Sequence, residues 1–193
     1  SSRLADLGAL LSCGTDLDRA SVNLRTLSSD DKRLPALDIM RAVLQTPQFP
    51  AAVLDREKAR LVAGLKEALT RPESIANRAF WGSLYPDHPY GRKATPESVS
   101  ALLQRDLQTF YRQHYLAQRA IVTIVGDVSR AQAEALAQQL TSALPQDAGA
   151  ASVAAPRLPA ASEQRIAHPS AQAHLLVGLP ALKRGDPDFF PLM

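Results

Sequence analysis

The stretch Pro50–Pro72, PAAVLDREKARLVAGLKEALTRP, decides how this chain is read. Ala, Leu, Lys, Arg and Glu dominate it, all good helix formers, and a proline stands at each end. Pro50 suits a helix start and Pro72 stops one, so the composition predicts a single long helix between them. Gly64 is its one oddity, disfavouring the helix by about 1 kcal/mol relative to alanine.

Toward the N-terminus, Thr46-Pro47-Gln48-Phe49-Pro50 breaks the chain. Before it, Ser28-Ser29-Asp30-Asp31 is a helix N-cap cluster, and the apolar spacing of Leu34, Leu37, Ile39, Met40, Val43 and Leu44 predicts a helix to about Gln45. Ser21 to Leu27 alternates polar and apolar residues and predicts a strand with Val22, Leu24 and Thr26 on one side. Ser2 to Ser12 has the spacing of one helical face, ended by Gly14, and Gly14 to Arg19 leads into the strand.

Toward the C-terminus, a helix is expected from about Glu73 to Leu84, then a proline-dense loop, Tyr85 to Gly91. Thr95-Pro96-Glu97-Ser98 opens a short helix, with Thr95 at the N-cap and Ser98 where a capping box reaches back. Leu107 to Tyr115 is another helix. Arg119 to Val125, RAIVTIV, is β-branched and almost wholly apolar, which predicts a fully buried central strand. Gly126 to Ser129 turns into a helix from Arg130 to about Leu144. Residues 145–162 are rich in Ala and Pro without periodicity and predict an extended linker. Glu163 to His168 and Ala171 to Gly178 are expected as strands joined at Pro169-Ser170, and Asp186-Pro187-Asp188 opens a last helix.

Composition narrows the function. Hydrophobic residues make up 46% of the 193, enough for a core, but aromatics are only 5%, so aliphatic side chains must fill it. The net charge of +3 is spread along the chain, without the Lys/Arg block that tracks a phosphate backbone, which argues against nucleic acid. Cys13, the one cysteine, excludes an intrachain disulfide and a thiolate zinc cluster, and is expected as a small core residue. No apolar run is long enough to span a membrane. The abrupt start SSRLADLGALL and the abrupt end FFPLM suggest a piece of a longer protein.

No chemistry announces itself from motifs alone. The four histidines, His88, His114, His168 and His174, form neither HExxH nor HxxEH and no helical i, i+4 pair. His168 and His174 flank a turn and would meet only across a hairpin. His88, between two prolines in Asp87-His88-Pro89, is expected to make a structural hydrogen bond. No GxSxG elbow exists, and Gly126-Asp127 lacks the glycine spacing of a phosphate loop. Taken alone, Glu57 and Glu67 belong to a solvated helical face paired with Lys58, Arg60 and Lys66.

Order changes that picture. LDREKAR at Leu54–Arg60 leads the long helix, PESIA follows at Pro72–Ala76, then LYPDHPYG at Leu84–Gly91, DLQTFYRQHY at Asp106–Tyr115, and a strand ending in Val125-Gly126-Asp127-Val128. This succession resembles the pitrilysin and insulinase family of zinc peptidases, the inverzincins, which includes the mitochondrial processing peptidases and their bacterial relatives. The resemblance implies an α+β fold, an antiparallel sheet flanked by helices, built as two similar units. Here those are a first unit in residues 1–144 lacking its N-terminal part, the linker 145–162, and the truncated start of the second in 163–193.

The resemblance also implies what the long helix does. Active members hold zinc with HxxEH on one helix and a glutamate on a later one, which often carries two glutamates two turns apart. Glu57 matches the first, and Gly64 stands at the position of the second, the zinc ligand. Glu67 lies three residues further, about 4.5 Å along the axis and about 60° around it, too far for zinc–oxygen bonds of about 2.0–2.2 Å. HxxEH is absent and would fall near or before Ser1. The implied role is a catalytically silent homologue, with no metal in this chain, that helps an HxxEH-bearing partner bind extended peptides. The alternative is a fragment of an active zinc endopeptidase whose HxxEH lies upstream. The Arg and Tyr that family enzymes use from the second unit would lie beyond Met193. Bacterial relatives suggest the periplasm or cell envelope.

Overall fold

Gly8 sets the first turn of the fold. It adopts φ 62°, in the left-handed region that costs glycine little. The N–H of Gly8 bonds the Ala5 carbonyl and that of Ala9 the Leu4 carbonyl, closing the helix α1, Ser2–Asp6. The helix expected as far as Ser12 therefore ends early, and Leu10–Thr15 is instead the strand β1. It pairs antiparallel with β2, Ala20–Arg25, in the register Leu11 opposite Leu24 and Cys13 opposite Val22. The computed structural model describes residues 2–146 and 153–192, so part of the expected linker, 147–152, lies outside the described residues.

Six further helices follow the expected pattern closely: α2 (Asp30–Gln45), α3 (Ala51–Ala68), α4 (Pro72–Leu84), α5 (Pro96–Ser100), α6 (Gln104–His114) and α7 (Arg130–Thr141). A one-turn helix, α8 (Phe189–Leu192), comes last. Each start has a local reason. Thr95 Oγ1 accepts from the Ser98 N–H while Ser98 Oγ accepts from the Thr95 N–H, and Ser129 and Gln132 repeat this reciprocal cap at α7. Pro72 occupies the first turn of α4, where its missing N–H costs nothing.

The chain forms two compact units, Ser1–Leu54 with Leu103–Ala151, and Asp55–Leu102 with Ser152–Met193. In the first, α2 packs on α7 and on β2. Ala36, Leu116, Leu140 and Leu144 are its buried core. Gln45 Nε2 donates to the carbonyls of Gln139 and Leu140, and the Tyr111 hydroxyl lies 2.7 Å from the Leu44 carbonyl, so side chains from elsewhere in the unit satisfy helix ends.

In the second unit, α4 packs on a 3₁₀ turn at Pro89–Gly91. Trp81 stacks on Tyr85 and Lys93 sits over the Trp81 ring, 5.0 Å from its centroid. Gly91 is obligatory there, because a Cβ would lie 2.0 Å from the Tyr85 carbonyl oxygen. Residues 153–186 run without regular secondary structure.

Three further expectations fail. Arg119–Val125 is not a buried strand: its start belongs to a 3₁₀ turn and the rest is irregular, with Ile121 and Val125 each 93% exposed. Nor are Glu163–His168 and Ala171–Gly178 strands; they are irregular and exposed almost throughout. The reason is common to both. A strand exists through a ladder of backbone hydrogen bonds to a neighbour, and among the described residues the only sheet is the two-stranded β1–β2. Cys13 is exposed rather than buried, because residues 12–21, the turn end of the hairpin, are solvated on both faces.

Candidate functional site

Helix α3 carries the residues on which the sequence reading turns. Glu57 and Gly64 are seven positions apart, so they lie on one helical face about 10.5 Å apart along the axis. The Glu57 carboxylate is already engaged: Arg60 Nε donates to it at 2.8 Å and Arg56 Nη2 at 3.3 Å. The Arg60 hydrogen bond, with its charge, holds the Glu57 carboxyl below the usual carboxylate range. Gly64 presents open space, since a Cβ built on it meets nothing within 4 Å. Glu67 turns to Arg71, 3.7 Å away.

These residues do not fit a zinc ion. A zinc site needs at least three protein donors converging within about 2.3 Å of one point. Here one carboxylate is tied to two arginines, the second position has no side chain, and Glu67 is displaced around the helix. Among the described residues no group of three or more His, Cys, Asp or Glu is placed to hold a metal.

The histidines separate. His88, 8% exposed, uses both ring nitrogens: Nδ1 accepts from the Tyr90 N–H at 3.2 Å and Nε2 lies 3.0 Å from the Ala154 carbonyl. Since a carbonyl only accepts, the ring is neutral with its proton on Nε2. It is a structural tie between the 3₁₀ turn and the extended segment. His168 Nε2 lies 3.1 Å from the Thr70 carbonyl while its Nδ1 is buried without a partner among the described residues. His168 and His174 form no metal site with any other residue among those described. His114 stacks at a tilt beside Phe110 on α6, 4.4 Å between centroids.

One concavity escaped the sequence reading. In the first unit, Thr46–Phe49 and the face of α6 bearing Gln108, Tyr111 and Arg112 enclose an open depression of about 240 Å³. Its floor is the Phe49–Tyr111 edge-on pair, 6.4 Å between centroids. Phe49 has φ 44°, an outlier for a bulky residue. The visible signal was the aromatic between two prolines at the break before α3. A second, wider depression of about 430 Å³ lies at the hairpin turn around Asp16 and Arg19.

Comparison with known proteins gives these features a setting. Residues 103–193 match the family described as peptidase M16 inactive domain. A crystal structure of a peptidase M16 inactive domain from Pseudomonas fluorescens superposes with a TM-score of 0.77 at 34% identity, covering 81% of this chain and 38% of that one. The β subunit of the mitochondrial-processing peptidase of Blastocladiella emersonii is 22% identical over 98% of this chain and 41% of its own length. A protein named as an uncharacterized zinc protease from Mycobacterium leprae is 34% identical over 70 residues, 35% of this chain and 16% of its own length. The fold, but not more, is shared with a protease from Helicobacter pylori at a TM-score of 0.66 and 16% identity, over 81% of this chain and 38% of that one. The chain thus spans about two fifths of the length of the full-coverage relatives. The helix-rich fold with its small antiparallel sheet is the α+β pitrilysin-like fold, and the chain belongs to the pitrilysin-like M16 peptidase family.

Proposed function

We propose that the chain is a non-catalytic member of this family, a partner subunit or domain that helps an HxxEH-bearing zinc peptidase hold extended peptides. The observation that carries this is the 34% identity with a peptidase M16 inactive domain across 81% of the chain. Gly64 supports it physically: an open helical position where the resemblance puts a ligand, two turns from a glutamate committed to Arg56 and Arg60. The backbone of residues 121–125, largely exposed and without a backbone hydrogen bond among the described residues, offers donors and acceptors that an added strand can use. A cell-envelope location is part of the same proposal, and fractionation of cells producing the full-length protein tests it.

Metal content decides the central claim. The full-length protein purified alone should contain no stoichiometric zinc and cleave no peptide, and should copurify with an HxxEH-bearing homologue. Chelator-removable zinc at one per chain, together with peptidase activity in the protein alone, would sink the reading. That result would favour the second one, an active zinc endopeptidase with HxxEH upstream, for which the zinc-protease name of the Mycobacterium leprae relative speaks.

A further inference from the structure

We propose that the depression between Thr46–Phe49 and α6 binds a peptide carboxylate next to an apolar side chain, the chemistry of an apolar last residue of a peptide or of an acidic residue flanked by an apolar one within it. The inference rests on the peptide-handling reading above and assigns it a place.

The walls carry one net charge. Arg112 is the single ionised side chain lining the depression, and no acidic residue lines it. Gln108 stands one turn before Arg112 on α6. Neither side chain makes a hydrogen bond or ion pair among the described residues, whereas their neighbour Tyr111 is fully committed to the α2 carbonyls. A guanidinium forks onto a carboxylate through two parallel N–H groups, and an amide one turn away supplies a third donor. On the facing wall the backbone N–H groups of Gln48 and Phe49 make no hydrogen bond among the described residues.

The floor supplies the second half of the recognition. Phe49 and Tyr111 present ring surface beside these donors. Phe49 is held there against its backbone preference, which costs about 1–3 kcal/mol in a non-glycine residue. The loop is pinned in that state: Gln104 Nε2 donates to the Phe49 carbonyl at 2.8 Å and Gln48 Nε2 to the Thr46 carbonyl at 3.0 Å. A strained aromatic in a pinned loop, lining one depression with a cation that makes no ion pair among the described residues, forms a rigid amphipathic seat. At about 240 Å³ it accommodates one residue's side chain and carboxylate.

The test is fluorescence anisotropy on the full-length protein with three labelled peptides. They are Gly-Gly-Leu-Phe with a free C-terminus, the same peptide amidated, and amidated Gly-Phe-Glu-Gly with its carboxylate internal. At least one carboxylate peptide should bind while amidated Gly-Gly-Leu-Phe does not, and which one binds identifies the source. Arg112→Gln should weaken that binding about tenfold, the loss of a charge-assisted pair. Gln108→Glu, which offers Arg112 an internal carboxylate, should weaken it comparably. Both positions are exposed, and circular dichroism checks that both variants keep the fold. If the amidated peptide binds as well as the others and neither variant changes anything, this site is overturned while peptide handling stands. If no peptide binds, both fall.

Discussion

The two units are held by different chemistry. The first has an apolar core in which α2 meets α7, with Ala36 fully buried and Leu116, Leu140 and Leu144 nearly so. The second buries little beyond Pro96, Val99 and His88. There, point contacts fix the irregular segment 153–186: His88 on the Ala154 carbonyl, His168 on the Thr70 carbonyl, and Phe80 closing on Gly178, where a Cβ would approach to 2.8 Å. Apolar burial acts over area and resists local loss. Point contacts act singly, and losing one frees only the segment it ties. Damage to the first unit should therefore be global, and damage to the second local.

Truncating the core is the strongest challenge to that contrast. Leu140→Ala should cost about 3 kcal/mol, the transfer of a buried isobutyl group plus the cavity left. Urea unfolding should show it as a lower midpoint with an unchanged slope. A loss under 1 kcal/mol would mean that the first unit has no continuous core. Gly91→Ala comes next, at about 2 kcal/mol, because the clash is with backbone and not with a flexible side chain. It should disturb the 3₁₀ turn and leave the α2–α7 amides as protected as before.

His88→Ala sharpens the comparison. It leaves the Tyr90 N–H and the Ala154 carbonyl without their partner, at a cost of about 1–2 kcal/mol. Amide exchange should accelerate at Tyr90 and along the segment after Ala154, with the first unit unchanged. Faster exchange throughout α2 would show that the two units are energetically one, against the contrast drawn above.

What could be read beforehand divides along a similar line. The cap at Thr95, the turn Gly126–Ser129 ahead of α7, the prolines bounding α3 and the alternation in Ser21–Leu27 are local signals, and each element follows within a few residues. RAIVTIV has equally strong β-propensity, but a strand depends on a partner and none is supplied among the described residues. Leu4, Leu7, Leu10 and Leu11 fit a helical face, yet one left-handed glycine at position 8 outweighs that periodicity. For the sites, Glu57 and Gly64 were singled out only by the resemblance, which places both on the long helix. The Phe49–Tyr111 seat was not, since it joins residues 62 positions apart through a backbone angle no composition encodes.

The smallest effects test whether local caps behave as caps. Thr95→Ala should cost about 1 kcal/mol and shorten α5. The gentlest probe is the hairpin turn. Asp16 accepts the Arg19 Nε–H at 2.8 Å and the backbone N–H groups of Asp18 and Arg19. The Arg19 side-chain bond, then the Asp18 N–H, bring its carboxyl from 3.8 down to about 2. A depressed folded-state value means that the carboxylate's contribution is fully present above pH 3.8 and lost as pH falls through about 2. A side-chain NMR titration should therefore find Asp16 still ionised at pH 3, and Arg19→Ala should move its midpoint back toward 3.8. The group is fully exposed, so salt should screen part of the Arg19 effect but leave the backbone share. A midpoint indifferent to Arg19 would place the whole shift in the turn's N–H groups. The hairpin would then owe its end to backbone geometry alone.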